Sequence, residues 1–230
     1  MKNKRILVIV AHPDDEVLGC GASIRKWKTT AEEINALILA EGITSRNVAT
    51  TDANANEIKK LHQNACEAAK IIGYNNIYFE KFPDNRMDSV NLLDVVHTIL
   101  DYIKRLNPQI ILTHHSNDLN VDHRIVYQAV ITACRPLLDS IVEAIYSFQV
   151  PSSTEWNFPY YKSVFSPNFF VNIEDSIENK LTAMECYISE RREVPHPRSS
   201  EVLRSIATVW GSVVGLHYAE AFETIYIIEK

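Results

Sequence analysis

An α/β fold with a mostly parallel, Rossmann-like sheet is what this sequence predicts, on three observations. Short apolar runs alternate with longer helical ones through the first 140 residues, the pattern of repeated βαβ units with helices on both sheet faces. The first run, Ile6-Leu7-Val8-Ile9-Val10, is unbroken apolar and reads as a buried strand. Directly after it comes a dense polar cluster, His12 to Glu16, at the strand end where open α/β sheets place ligands.

Taken in order, residues 5–10 form the first strand and 17–28, with helical spacing, the first helix. Strand 35–40, helix 56–72, strand 76–80, helix 92–106, strand 109–113 and helix 124–134 continue the alternation. Beyond residue 141 the rhythm changes: 143–149 and 168–173 read as strands, 177–189 and 201–213 as helices, and 224–228 as a last short strand. The aromatic-, Pro- and Ser-rich stretch 151–167 reads as a surface loop. The expectation is one domain over 1–230, with a core at 1–140 and a C-terminal cap at 141–230 that closes one side of a cleft.

Composition narrows the function. A chain of 230 residues that is 46% hydrophobic can bury one sizeable core. A net charge of −6 offers no electrostatic footprint for nucleic acid. No apolar stretch approaches the ~20 residues of a membrane span, and the run after the basic N-terminus meets His12 and Asp14 too soon for a signal peptide. Cys20, Cys66, Cys134 and Cys186 form no CxxC pair, so free thiols in a reducing cytoplasm are expected. Gly19 and Gly21 permit close backbone approach, but Ile24 breaks the dinucleotide fingerprint.

The chemistry is concentrated in Ala11-His12-Pro13-Asp14-Asp15-Glu16-Val17-Leu18-Gly19-Cys20-Gly21. One imidazole and three carboxylates in five positions repel one another unless a cation neutralises them, and a divalent metal is the simplest neutraliser. His12 and Asp15 are spaced to face one ion around the turn that Pro13 encourages, which leaves Asp14 free to act on water. Acidic residues before a helix also serve as caps and dipole partners, so a second cluster matters. It is His114-His115-Ser116-Asn117-Asp118-Leu119-Asn120-Val121-Asp122-His123-Arg124, again between a strand and a helix. Two strand ends rich in His and Asp point to one shared cleft.

The first stretch resembles the signature of the PIG-L/LmbE-like metal-dependent N-deacetylases, and the second resembles their downstream His-x-Asp-His motif. Residues 195–199 (Pro-His-Pro-Arg-Ser) and 215–222 resemble a bacterial branch often associated with surface-sugar biosynthesis. The resemblance implies His12, Asp15 and His123 as metal ligands, Asp14 as general base, and an N-acetylated amino sugar or its conjugate as substrate. One position departs from the motif: its first His is Asn120 here. An amide can donate to an oxyanion but cannot serve as a general acid at neutral pH.

Two histidines and a carboxylate make a common hydrolytic zinc set, and ferrous iron also suits it. Asp122, beside His123, is expected to orient that ligand. His196, between Pro195 and Pro197 where a helix cannot run, is the expected proton donor to the departing amine, ahead of His114 and His115. On the substrate side the resemblance places Asp84 at sugar hydroxyls, and Arg46 or Arg86 suits an anionic aglycone, although Pro83-Asp84-Asn85 also makes a good turn anywhere. An amidase for another N-acyl conjugate would use the same residues. A catalytically impaired sugar- or metal-binding homologue is the reading from another class, with Asn120 as its only hint. A small amino-sugar partner is expected, with no nucleic acid or membrane span, and homo-oligomerisation is left open.

Overall fold

The computed structural model describes residues 1–42, 52–138, 140–158 and 164–229, and of 52–54 only the backbone. The described strands form one seven-stranded sheet in the order β3-β2-β1-β4-β5-β7-β6. Its members are β1 (Arg5–Val10), β2 (Glu33–Ala40), β3 (Asn76–Phe82), β4 (Ile110–His114), β5 (Ala144–Phe148), β6 (Phe169–Asn172) and β7 (Ala219–Ile227). The first five run parallel, with Val8 of β1 opposite Ala36 on one side and Leu112 on the other. The chain winds outward from β1 through β2 to β3, then crosses to β4. The crevice at the carboxyl ends of β1 and β4 is therefore the topological switch point.

Side chains on a strand alternate between faces, and β1 divides accordingly. Ile6, Val8 and Val10 enter one core, with α1 (Asp15–Trp27), α2 (Asp52–Ile72) and α5 (Ile177–Met184) over them. Leu7, Ile9 and Ala11 enter the other, under α3 (Leu92–Leu106) and α4 (Val121–Ala133). Both faces are covered, which is why the central strands read as continuous apolar runs instead of alternating ones. The mostly parallel α/β expectation holds.

Several boundaries moved, each for a local reason. Helix α4 starts at Val121 and not at 124, because Asn120 caps it by accepting from Asp122 N at 2.8 Å. The expected helix 177–189 stops at Met184, and a 3-10 turn follows at Ile188–Glu190. The last strand is nine residues, not five, because it pairs antiparallel with β5 on one side and β6 on the other. The strands after 141 thus extend the main sheet. The last helix, α6 (Ser200–Val213), packs against β6 and β7.

Two devices fix α1, which carries half of the first motif. A Cβ on Gly19 would lie 2.2 Å from Phe148 Cδ2, so only glycine lets the helix approach β5 this closely. Farther along, the buried Lys180 donates to Leu18 O at 2.7 Å and to Glu220 Oε1 at 2.6 Å, while Glu220 accepts from Ala22 N and Ser23 N. The pair ties α1 to α5 and β7. All four cysteines are free; burial pushes the Cys20 thiol well up and the Cys134 thiol to about 12, so neither is a nucleophile. Among the described residues no helix is long and apolar enough to cross a membrane.

Candidate active site

Between the end of β1 at Val10 and the start of α1 at Asp15 the chain has four residues in which to turn. Asp14 absorbs the turn at φ 113°, ψ −28°, a conformation costly for a residue with a side chain. Its surroundings hold it there. The Asp14 carbonyl accepts from Val17 N and Leu18 N at 3.0 and 2.9 Å. The Asp14 N–H donates to Glu16 Oε2 at 3.0 Å, and Glu16 Oε1 takes the Tyr187 hydroxyl. Glu16 is fully buried, and burial lifts its carboxyl to about 7. It is the brace of the motif.

Three ligand atoms meet beside this turn. His12 Nδ1 lies 3.3 Å from His123 Nε2 and 3.4 Å from Asp15 Oδ2, and His123 Nε2 lies 3.3 Å from Asp15 Oδ2. The edge of a tetrahedron with zinc–ligand bonds of roughly 2.1 Å is about 3.4 Å, so the triangle has the right size to share one ion. Asp15 Oδ1 is buried with no hydrogen-bond partner among the described residues, a further sign that the carboxylate is built for a cation. Neighbouring carboxylates act strongly on the two imidazoles. Burial opposes charging of the imidazoles, yet Asp122 and Asp15 lift His12 to about 10, and Asp15 and Asp118 lift His123 to about 9. Burial would likewise raise Asp15, but His123 and His12 hold it well below the usual range.

Each histidine is oriented from behind, and here the structure corrects the sequence reading. Asp122 turns away from its neighbour His123 and serves His12 instead. Its Oδ2 lies 3.0 Å from His12 Nε2, and its two oxygens accept from Asn85 N and Met87 N at 2.7 and 2.9 Å. The reason is helical geometry: consecutive residues on α4 point about 100° apart. The partner of His123 is Asp118, with Oδ1 at 3.2 Å from Nδ1. Asp118 also accepts from Ser153 Oγ, from Thr154 Oγ1 at 2.6 Å and from Asn120 N at 2.8 Å. Burial would raise its carboxyl, but His123 and the hydroxyls bring it down to about 2. His114, fully buried, stacks on the His123 ring at 3.9 Å and accepts from Ala11 N at 2.9 Å. Burial and the His123 charge depress it to about 3, so it is a neutral shelf and no acid. His115 faces Glu223 at 2.7 Å.

The cavity in front of the ligands is lined by His12, Pro13, Asp14, Gly42, Asp84, Asn85, Asn120, Glu190 and Arg198. Asp84 Oδ1 sits 3.3 Å from His12 Nε2, so this carboxylate supports the ligand as well as facing the cavity. Asn120 lines it too, with Nδ2 donating to Asn85 Oδ1 at 2.8 Å. His196 does not line it. Its Nδ1 accepts from Arg198 N at 3.1 Å and its ring stands edge-on to Trp156, because the two flanking prolines force a turn that aims the next long side chain inward. Arg86 is exposed and outside the cavity lining, and Arg46 lies outside the described residues.

Arg198 is the residue sequence reasoning missed. Its Nη1 donates to Asp14 Oδ2 at 2.6 Å and lies 3.5 Å from Glu190 Oε2. Burial raises Asp14 well above the usual carboxylate range, and Arg198 pulls it part of the way back. The available signal was position: Arg198 sits in the same Pro-His-Pro-Arg-Ser segment as His196, one residue before the Ser199 cap of α6.

A mostly parallel sheet with two histidines and a carboxylate converging at its switch point, and a further acid beside them, defines an α/β protein with a cleft that could hold a metal ion. The particular family follows from comparison. The chain belongs to the PIG-L family, GlcNAc-PI de-N-acetylase, whose profile matches residues 7–134. It is 30% identical over 190 residues to the uncharacterized deacetylase YaiS of Escherichia coli, covering 80% of this chain and 90% of that protein. Diacetylchitobiose deacetylase of Thermococcus kodakarensis is 27% identical over 233 residues, covering 96% and 83%. The crystal structure of GalB, a 4-carboxy-2-hydroxymuconate hydratase from Pseudomonas putida, superposes with a TM-score of 0.75 at 21% identity, covering 99% and 98%. The fold therefore also carries a hydratase, and the reaction has to be argued from the site.

Proposed function

We propose that this chain is a divalent-metal-dependent hydrolase that removes the N-acetyl group from an N-acetylated amino sugar or its conjugate. The observation that carries the reading is the ligand triangle of His12, Asp15 and His123 with the non-ligand carboxylate of Asp14 next to it. Membership of a de-N-acetylase family and 27% identity to a diacetylchitobiose deacetylase support the acetamido-sugar substrate. Zinc is the expected ion, and ferrous iron is chemically compatible. Four free cysteines, with no disulfide among them, support a reducing, cytoplasmic setting.

When bound, the ion would polarise the amide carbonyl and make water a better nucleophile. The rest falls to the protein's own groups. Asp14 Oδ2 is held by Arg198, leaving Oδ1 to accept one proton from the attacking water as its oxygen adds to the carbonyl carbon. The C–N bond then breaks, the same carboxyl returns that proton to the departing nitrogen, and acetic acid and a free amine leave. This assigns both proton transfers to Asp14, in keeping with Asn120 having no titratable proton. Asn120 retains one Nδ2 hydrogen beyond its bond to Asn85, available to a sugar hydroxyl or the carbonyl.

Asn120 favours one rival, an impaired homologue that only binds. An ion-paired acid at strained backbone beside the ligand set argues against it, since a binding site gains nothing from that cost. The deciding experiment assays wild type and Asp14→Asn, with and without chelator, on N,N'-diacetylchitobiose and related acetamido sugars. Wild type should release acetate only when metal-loaded. Asp14→Asn should keep its metal and lose about 10²–10⁴-fold in turnover. Equal turnover in the two proteins at full metal content would remove Asp14 from the role.

A further inference from the structure

Arg198 reaches the cavity across 184 residues of sequence from Asp14, and its guanidinium is engaged through two of its three nitrogens. Nε donates to Ser152 Oγ at 2.8 Å, with Pro151 O at 3.4 Å, and Nη1 donates to Asp14 Oδ2. Nη2 meets no acceptor among the described residues, although the side chain as a whole is only 18% exposed. A guanidinium is a rigid plane of five donors. Once Nε and Nη1 are fixed, the position of Nη2 between them is fixed as well, on a side chain that lines the cavity beside Asp14. A buried cation with a fixed, unused arm next to the reacting carboxyl is a preorganised donor.

What that donor serves is set by its neighbours. Asp14 at 2.6 Å and Glu190 at 3.5 Å already offset the charge of Arg198, and Asp84 lines the same cavity. With its charge offset in this way, Arg198 suits a group that needs a single directed hydrogen bond better than a phosphate dianion, and a neutral acetamide is such a group. Its oxygen gains charge only as the reaction proceeds, which is when a fixed donor counts most. Asn120, the residue at the family's histidine position, is largely occupied: its Oδ1 caps α4 and its Nδ2 bonds to Asn85.

We propose that Arg198 is a catalytic residue: Nη1 holds Asp14 Oδ2, and Nη2 donates to the carbonyl oxygen of the scissile acetamide as it becomes an oxyanion. This rests on the deacetylase reading, so the test carries a readout that does not need turnover. Acetate, the expected product, presents the same acetyl oxygens. Metal-loaded wild type, Arg198→Ala and Arg198→Lys are compared for metal content, for acetate binding by calorimetry, and for kcat and KM on N,N'-diacetylchitobiose. Arg198→Ala should keep its metal, bind acetate about 10- to 100-fold more weakly, and lose roughly 10²–10³-fold in kcat with KM little changed. Arg198→Lys, which keeps the charge and can still reach Asp14 but has no second arm, should remain weak for acetate, and it carries the test if the alanine variant does not fold. Unchanged acetate affinity in a folded, metal-loaded variant overturns the proposal, as does a loss confined to KM. If wild type hydrolyses no acetamido sugar yet the variants lose acetate, the deacetylase reading falls and the Arg198 donor stands.

Discussion

The turn after β1 and the turn before α6 deliver charged side chains to the same few ångströms of space, by opposite means. The first packs His12, Asp14 and Asp15 into four consecutive positions, strains Asp14, and braces itself with Glu16 one residue on. The second contributes one side chain, Arg198, aimed by a proline-flanked turn and clamped by the 151–152 loop. A local cluster announces its chemistry because the repulsion within it demands a cation. A long-range contributor does not, because an arginine before a helix cap looks like any other surface residue until the fold brings Asp14 to it. Candidate ligands can therefore be read locally, while the group proposed to hold the base and receive developing charge arrives from elsewhere.

That contrast can be pressed hardest at Asp118. If long-range support matters as much as the local cluster, removing the carboxylate behind His123 should weaken metal binding without touching a ligand. Asp118→Ala is expected to cost about 10- to 100-fold in metal affinity, read by competition with a chromophoric chelator. An affinity equal to wild type would mean that the 3.2 Å contact to His123 Nδ1 is incidental.

The brace of the first turn is the next lever. Tyr187→Phe removes the hydroxyl that Glu16 Oε1 accepts, leaving a buried acceptor unpaired at a cost of about 1–3 kcal/mol. The cost should depend on pH. Burial raises Glu16 from 4.5 in the unfolded chain to about 7 in the folded one, so its contribution to stability is fully present below 4.5 and is lost as pH rises through 7. Tyr187 counters that rise by favouring the charged form. Denaturant melts of metal-free protein should therefore show a larger Tyr187→Phe penalty at pH 8 than at pH 5. A penalty independent of pH would show that the hydroxyl does not favour the charged form of Glu16.

The smallest effect is expected at His196. Its ring accepts one backbone hydrogen bond and meets Trp156, a contribution of about 1 kcal/mol. His196→Ala should cost no more than about fivefold in turnover and keep the alkaline limb of the pH–rate profile. Disappearance of that limb would return the proton-donor role to His196 and undo the distinction between positioning and chemistry in this turn.

Much of this protein was legible before folding. Alternating apolar runs and helical segments specify a parallel sheet because strands buried on both faces cannot tolerate polar residues, and β1 and α3 fall where their patterns put them. The density of carboxylate and imidazole at two strand ends pointed to a metal cleft for a purely electrostatic reason. Tertiary structure alone decided that Asp122 serves His12 while Asp118 serves His123, that the strands after 141 finish the main sheet, and that Arg198, not His196, reaches Asp14. The physical reason is common to all three. Sequence spacing sets which residues a helix or turn can present, but the direction in which a side chain points across a cleft depends on the rotation and packing of elements distant in the chain.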